Sequence, residues 1–299
     1  VVYDSHLIRA SGAAGAGEVH PSLADGTPAT EVEFIDGVLQ TSVPLADFGT
    51  YAMGSYADVR LVSPPVTLDD SGMNCAWMAT DPYFSTAYDV ASGVYLFKGA
   101  TMVLAEDLTI DGCSVELKGS KIIIREDVTN NPTLTIANGG SLTMTIDQDT
   151  GDLPKIYGEG NLDAVDIVLN SGGTLDMQGG TMKNFLLSAN KAGHIVVPSG
   201  AVFNMSGGAY LTATDLSTGP SDYPMIVVDA GEVNVASSSF LAGSGNTGIG
   251  VELINAGEIN GDGLTVSNML TGINSDGGSI NMDDYTSTAN TNGVVAKEG

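Results

Sequence analysis

Positive charge is scarce in this chain. Lys and Arg together number 10 against 36 Asp and Glu among 299 residues, a formal net charge of -26. Nucleic acid and anionic membranes are poor partners for such a surface, because neutralising phosphates takes clustered cations. The same balance suits solubility in salty surroundings and contact with cations or neutral glycans. Cysteine is nearly missing: only Cys75 and Cys113 occur, and the histidines His6, His20 and His194 are scattered. No zinc pattern can be assembled from that set. Two readings stay open, a Cys75–Cys113 disulfide stapling the N-terminal region onto the rest of the chain, or two buried thiols. No apolar run reaches the roughly 18 residues that a membrane-crossing helix needs. Helical spacing at i, i+3, i+4 is sustained nowhere. The chain opens on Val1 without a charged stretch leading into an apolar one, so it reads as a processed mature chain or a fragment.

Glycine is abundant instead, at 39 residues or about twice ordinary usage. Period-two alternation of apolar side chains is pervasive. The clearest phrase runs from Asp166 to Met177, where Ile167-x-Leu169 and Leu175-x-Met177 flank an Asn-Ser-Gly-Gly corner. Related phrases start at Leu108, Leu134, Ile167, Ile195, Ile226, Val251 and Ile273, at successive spacings of 26, 33, 28, 31, 25 and 22 residues. Repetition at about 20–50 residues marks a solenoid or an array. A degenerate first copy lies at Val94–Leu104.

One repeat carries two short strands meeting at a polar corner, and a third strand usually follows, as at Ile122–Ile124, Met182, Leu211, Leu241 or Leu264-x-Val266. Three strands and three turns make a coil, and each strand then pairs in parallel with its equivalent about 4.7–4.9 Å away. Alternation puts Ile167, Leu169, Leu175 and Met177 inside, with Val168 and Asp176 outside. Corner glycines supply positive φ at no steric cost. Asn138, Asn170 and Asn255 recur at corners and are expected to stack as an amide ladder. Unequal repeat lengths imply turn loops, the longest around 146–165 and 214–224, where ligand contacts are expected.

The expected fold is all-β, a right-handed parallel β-helix solenoid over 94–299 with an irregular β N-terminal cap over 31–93 and an extended N-terminal arm over 1–30. The cap shields a first rung that would otherwise expose a sheet edge. Its aromatics, including Trp77, Tyr83, Phe84 and Tyr95, read as cap core, or alternatively as a glycan-stacking platform. Near the other end, Val294 and Val295 are followed by no polar closing element. That implies a longer chain or an end that stacks on another subunit.

Over residues 94–299 the repeated pattern of alternating Ile, Val or Leu around an Asn/Asp-x-Gly corner resembles the right-handed parallel β-helix (pectate-lyase-like) superfamily. Within it, the scarcity of Lys and Arg and the abundance of Gly, Asn, Ser and Thr are most similar to archaeal or bacterial cell-surface and surface-layer proteins. The enzymes of that superfamily use basic residues beside stacked acids, or paired acidic motifs with Gly-His-Gly and Arg-x-Lys. Here the repeats hold one arginine, Arg125, with Asp283-Asp284 and an incomplete Gly193-His194-Ile195. No enzymatic set can be built from these residues.

The best metal candidate is Asp147, Asp149 and Asp152, alternating carboxylates around Gly151 that suit a hard cation such as Ca2+, although the loop departs from the EF-hand pattern. Asn204-Met-Ser206 is an N-glycosylation triplet whose asparagine alternation points outward. The resulting expectation is an extracellular, non-enzymatic structural subunit of a cell-surface layer, sheath or filament, homo-oligomeric or polymeric, with an adhesive role toward glycans. A polysaccharide lyase or hydrolase and a receptor-binding viral spike are the alternatives. Leu175→Asp is expected to abolish cooperative unfolding in a thermal melt, since it buries an unpaired charge; a folded, stable variant would contradict the inward assignment.

Overall fold

The computed structural model describes residues 7–11, 32–35, 38–41, 58–62, 66–124, 132–158, 166–185, 195–213, 224–236, 238–243 and 248–297. The chain divides into two compact units, Val1–Val66 and Thr67–Gly299. In the first, Leu7–Ser11 runs antiparallel to Asp58–Val62, and Val32–Ile35 antiparallel to Val38–Thr41. The remainder of the expected arm lies outside the described residues.

The second unit is a parallel β-helix built on three nine-stranded sheets, in which strands pair in parallel with their equivalents one coil away, except that Tyr88–Asp89 at the edge of the second sheet runs antiparallel to Val94–Lys98. The chain visits three faces in a fixed order. Thr133–Ala137 lies on the first, Ser141–Thr145 on the second and Lys155–Gly158 on the third, before Asp166–Leu169 returns to the first. Coils of this kind start at Leu108, Thr133, Asp166, Ile195, Pro224, Ile249 and Thr271. Ahead of them, Val94–Lys98 and Thr101–Leu104 supply the second and third faces, so the degenerate copy is two-thirds of a coil. The strand at Lys155–Gly158 corrects the expectation of one long loop over 146–165. Every coil must complete the third sheet, and fully buried Ile156 fills that place between Ile122 and Met182.

Inside, like stacks on like. Leu134, Ile167, Ile195 and Ile226 follow one another on the first face, and Leu142, Leu175 and Phe203 on the second, all at most 1% exposed. Val168 and Asp176 lie outside them, partly exposed. Burying one such aliphatic side chain contributes about 1.5–3 kcal/mol. Late in the chain the ladders thin: Ser275 follows Leu253, Gly261 follows Val235, and Ser287 follows Val266.

The expected asparagine stack at the corners is not formed. Register alignment puts Asn138 opposite Ser171, to whose carbonyl its N–H donates at 3.2 Å, and Asn170 falls one position earlier. Asn138 and Asn255 instead adopt φ of 50° each, a left-handed turn that asparagine tolerates. Asparagine side chains do bond to one another from coil to coil, but in the middle of the second face, at Asn204–Asn234 and Asn260–Asn281.

The part of the expected 31–93 cap that falls in the second unit, 67–93, contains two short helices that alternation alone does not reveal. Cys75–Met78 starts at Asn74, whose Oδ1 accepts from the Trp77 N–H at 3.0 Å. Pro82–Thr86 starts at Asp81, which accepts from the N–H groups of Tyr83 and Phe84 at 2.9 Å each, with Pro82 in the first turn. The second helix places Phe84 against inward-facing Phe97, and Met78, Phe84, Tyr95 and Phe97 are all buried.

A second corner constraint concerns the glycine just before the second strand. A Cβ on Gly140, Gly173, Gly231 or Gly257 would fall on a backbone carbonyl oxygen of the preceding coil, that of Ile110, Ile136, Val197 and Val228 respectively. None of the four has positive φ, so close approach of coils is what requires glycine there. Ala201 occupies the same place in the coil from Ile195. Gly173→Ala is expected to lower stability by about 1–3 kcal/mol, read as a reduced denaturation midpoint in urea; an unchanged midpoint would show that the coils can part there freely.

Candidate functional site

The acidic loop after the strand Ser141–Thr145 turns back on itself. The Gly151 N–H donates to the Asp147 carbonyl at 2.7 Å, and the Asp147 N–H to the Asp152 carbonyl at 3.0 Å. Asp147 is 1% exposed, and its Oδ1 accepts from the Asp149 N–H at 3.1 Å. Lys98, at the end of a second-face strand, occupies the position facing both acids. Its ammonium donates to Asp149 at 2.7 Å and stands 3.8 Å from Asp147. Gly119 permits this packing, since a side chain there would run into Asp147 and Asp152. The structure therefore brings Asp147 and Asp149 together around a lysine. No group of three or more His, Cys, Asp or Glu that could hold a metal ion is found among the described residues.

Electrostatics follow from this clip. Hydrogen bonding to Lys98, helped by the charges of Lys98 and Lys118, holds the Asp149 carboxyl below its ordinary value. Lys98 is raised, first by its bond to Asp149 and then by the Asp147 charge. Asp149, being depressed, favours the folded state above the ordinary carboxylate range, and that contribution disappears as pH falls through its lowered value. Lys98, being raised, favours folding below the ordinary lysine range, and its contribution disappears as pH rises through its raised value.

Cys75, at the start of the first cap helix, is joined to Cys113 at the corner of the coil from Leu108, with Cα atoms 6.0 Å apart. The Asp111 N–H lies 3.1 Å from the Cys75 sulfur. The bridge ties the helical cap to the solenoid. The cap aromatics pack on one another: Phe84 lies 4.9 Å from Trp77 and 5.0 Å from Phe97 between ring centroids, with Tyr83 6.0 Å from Phe97. Phe84 and Phe97 are core and offer no open platform.

Asn204 stands in the centre of the second face, within an outward row that reads Glu116, Thr143, Asp176, Asn204, Asn234, Asn260 and Asn281 through successive coils. Its Oδ1 accepts from Asn234 at 3.1 Å, and Asn260 accepts from Asn281 at 2.9 Å. Next to this row Thr145 donates to Glu116 at 2.6 Å, Gln178 to Asp176 at 2.7 Å, and Ser141 to Ser114 at 2.9 Å. The second face is thus a ruled surface of amides, hydroxyls and carboxylates.

On the third face the sequence reading missed an exposed pair. Tyr210 and Phe240 are register partners, 37% and 39% exposed, with ring centroids 6.4 Å apart. Their signal was available: each precedes an inward leucine, Leu211 or Leu241, so alternation turns the ring outward. Asp283 and Asp284 are exposed at a turn. Arg125, Gly193 and His194 lie outside the described residues, as do His6 and His20.

No helix among the described residues is long and apolar enough to cross a membrane. Compared with family models, with curated proteins and with solved structures, the chain has no match. The class defined by the structure is a parallel β-helix repeat protein.

In a carboxyl-detected NMR titration, Asp149 is expected to show a midpoint below that of an ordinary aspartate, and Lys98→Met is expected to return it toward the ordinary value. A wild-type midpoint that Lys98→Met leaves unmoved would show that the clip is not made in solution.

Proposed function

We propose that the chain is an extracellular structural protein, a subunit of a cell-surface layer, sheath or filament. The observation that carries this reading is the uninterrupted stack: three sheets of nine strands whose outward rows repeat at one strand spacing along the axis. Such a body is a rigid, elongating element with regular rows of side chains available to neighbours. A net charge of -26 keeps the unassembled chain soluble, and the Cys75–Cys113 disulfide belongs to an oxidising compartment.

Adhesion to glycans is a second reading, favoured by Tyr210 and Phe240. Two exposed aromatic rings in register on a sheet can stack on sugar rings, and Thr181 and Thr265 continue their row on either side with hydroxyls. A polysaccharide-cleaving enzyme would need acids of divergent pKa converging on one face with a cation, and no observation here favours that arrangement.

Electron microscopy of the purified protein, with calcium and again with a chelator, tests the structural reading. Regular filaments or sheets are expected in both. Loss on chelation would add metal to the contacts. Dispersed particles that bind or cleave a polysaccharide would replace the structural role with an adhesive or enzymatic one.

A further inference from the structure

Two like-charged pairs on the solenoid have no opposite partner among the described residues. Lys121 and Lys155 begin consecutive strands of the third face and are register partners. Their neighbours Ile122 and Ile156 are buried, so both ammonium groups leave the outer side, about 4.8 Å apart at the backbone. Among the described residues ion pairs join Lys98 to Asp147 and Asp149, and Lys297 to Asp276; neither Lys121 nor Lys155 has one. Glu232 and Glu258 repeat the arrangement with opposite sign. They begin consecutive strands of the second face, are register partners, and are exposed. Along that row they are flanked by Val202 and Ser279, neither of them basic.

Like charges directly opposed on adjacent strands disfavour the pairing that holds them. The two pairs share one spacing, fixed by the same parallel ladder, and differ only in sign. Within one molecule they cannot meet, because the lysines stand in the coils from Leu108 and Thr133, the glutamates in those from Pro224 and Ile249, on different faces. From Ile195 onward the sequence holds a single basic residue, Lys297, so the acidic coils have no local supply of cations.

We propose that the Lys121–Lys155 pair of one copy seats the Glu232–Glu258 pair of a second copy of this chain. The proposal rests on the reading of the chain as an assembling subunit, and it names the contact. The paired coils are four apart, so neighbours packed side by side in the same direction are staggered by about 19 Å. The contact joins two different surfaces, hence each copy offers both halves and growth continues into a fibre or sheet instead of closing as a symmetric pair. Charge pairing at an exposed surface is screened by salt, which gives assembly an ionic-strength dependence.

Light scattering and sedimentation of the full chain across a salt series test this. Wild-type protein is expected to assemble at low salt and disperse at high salt. K121E/K155E and E232K/E258K are each expected to raise the concentration at which assembly begins by about tenfold or more. The quadruple swap K121E/K155E/E232K/E258K restores the wild-type net charge and is expected to restore assembly. All four positions point outward, and circular dichroism checks that each variant is folded. A K121E/K155E variant that assembles like the wild type overturns the contact and leaves the structural role standing. Failure of the quadruple swap to recover also overturns it. Wild-type protein that stays monomeric at every salt concentration overturns the contact and the assembling role together.

Discussion

Everything in the second unit depends on parallel backbone pairing between one coil and the next. Because the N–H and C=O groups of the repeat strands pair with the equivalent strands one coil away, residue positions are locked in vertical rows. Inner rows become continuous hydrophobic ladders, such as Leu134 through Ile226. Corner rows must let backbone approach backbone, which is why glycine stands at 140, 173, 231 and 257. Outer rows repeat at the same interval and turn individual side chains into lines. A single register constraint thus fixes the core, the corners and the surface chemistry.

Much of this was legible from the residues. The period-two phrases located the strands, and the inward placement of Ile167, Leu169, Leu175 and Met177 follows directly from alternation. The strand at Lys155–Gly158 was not legible, because it carries one inward aliphatic residue, Ile156, in place of an alternating run. Corner asparagines misled for a related reason. Asn138 and Asn170 look equivalent in sequence, yet register is counted from the strand, and counting from Leu134 and Ile167 offsets them by one. The cap helices needed different signals, since Asn74 and Asp81 announce helix starts only through their capping positions.

The candidate residues were less legible still. The alternating aspartates at 147, 149 and 152 are visible in the sequence, but Lys98, which faces Asp147 and Asp149, is 51 residues from Asp149 and brought near by the winding of coils. Sequence spacing cannot foresee a partner of that kind. Asn204 was correctly aimed outward, but its neighbour Asn234, 30 residues on, takes part in its hydrogen bonding only because the rows align. Function on a solenoid is written across coils, at separations set by loop lengths that vary from one repeat to the next.

The disulfide and the thinning core give the solenoid a direction. At one end Cys75–Cys113 fastens a helical cap onto the first coils, while toward the other Ser275, Gly261 and Ser287 replace the aliphatic side chains of the rows beneath them. A load pulling along the axis therefore meets unequal resistance. Fewer buried aliphatic groups hold the coils near Thr271, so local opening of the solenoid favours that side of the stack over the disulfide-fastened one.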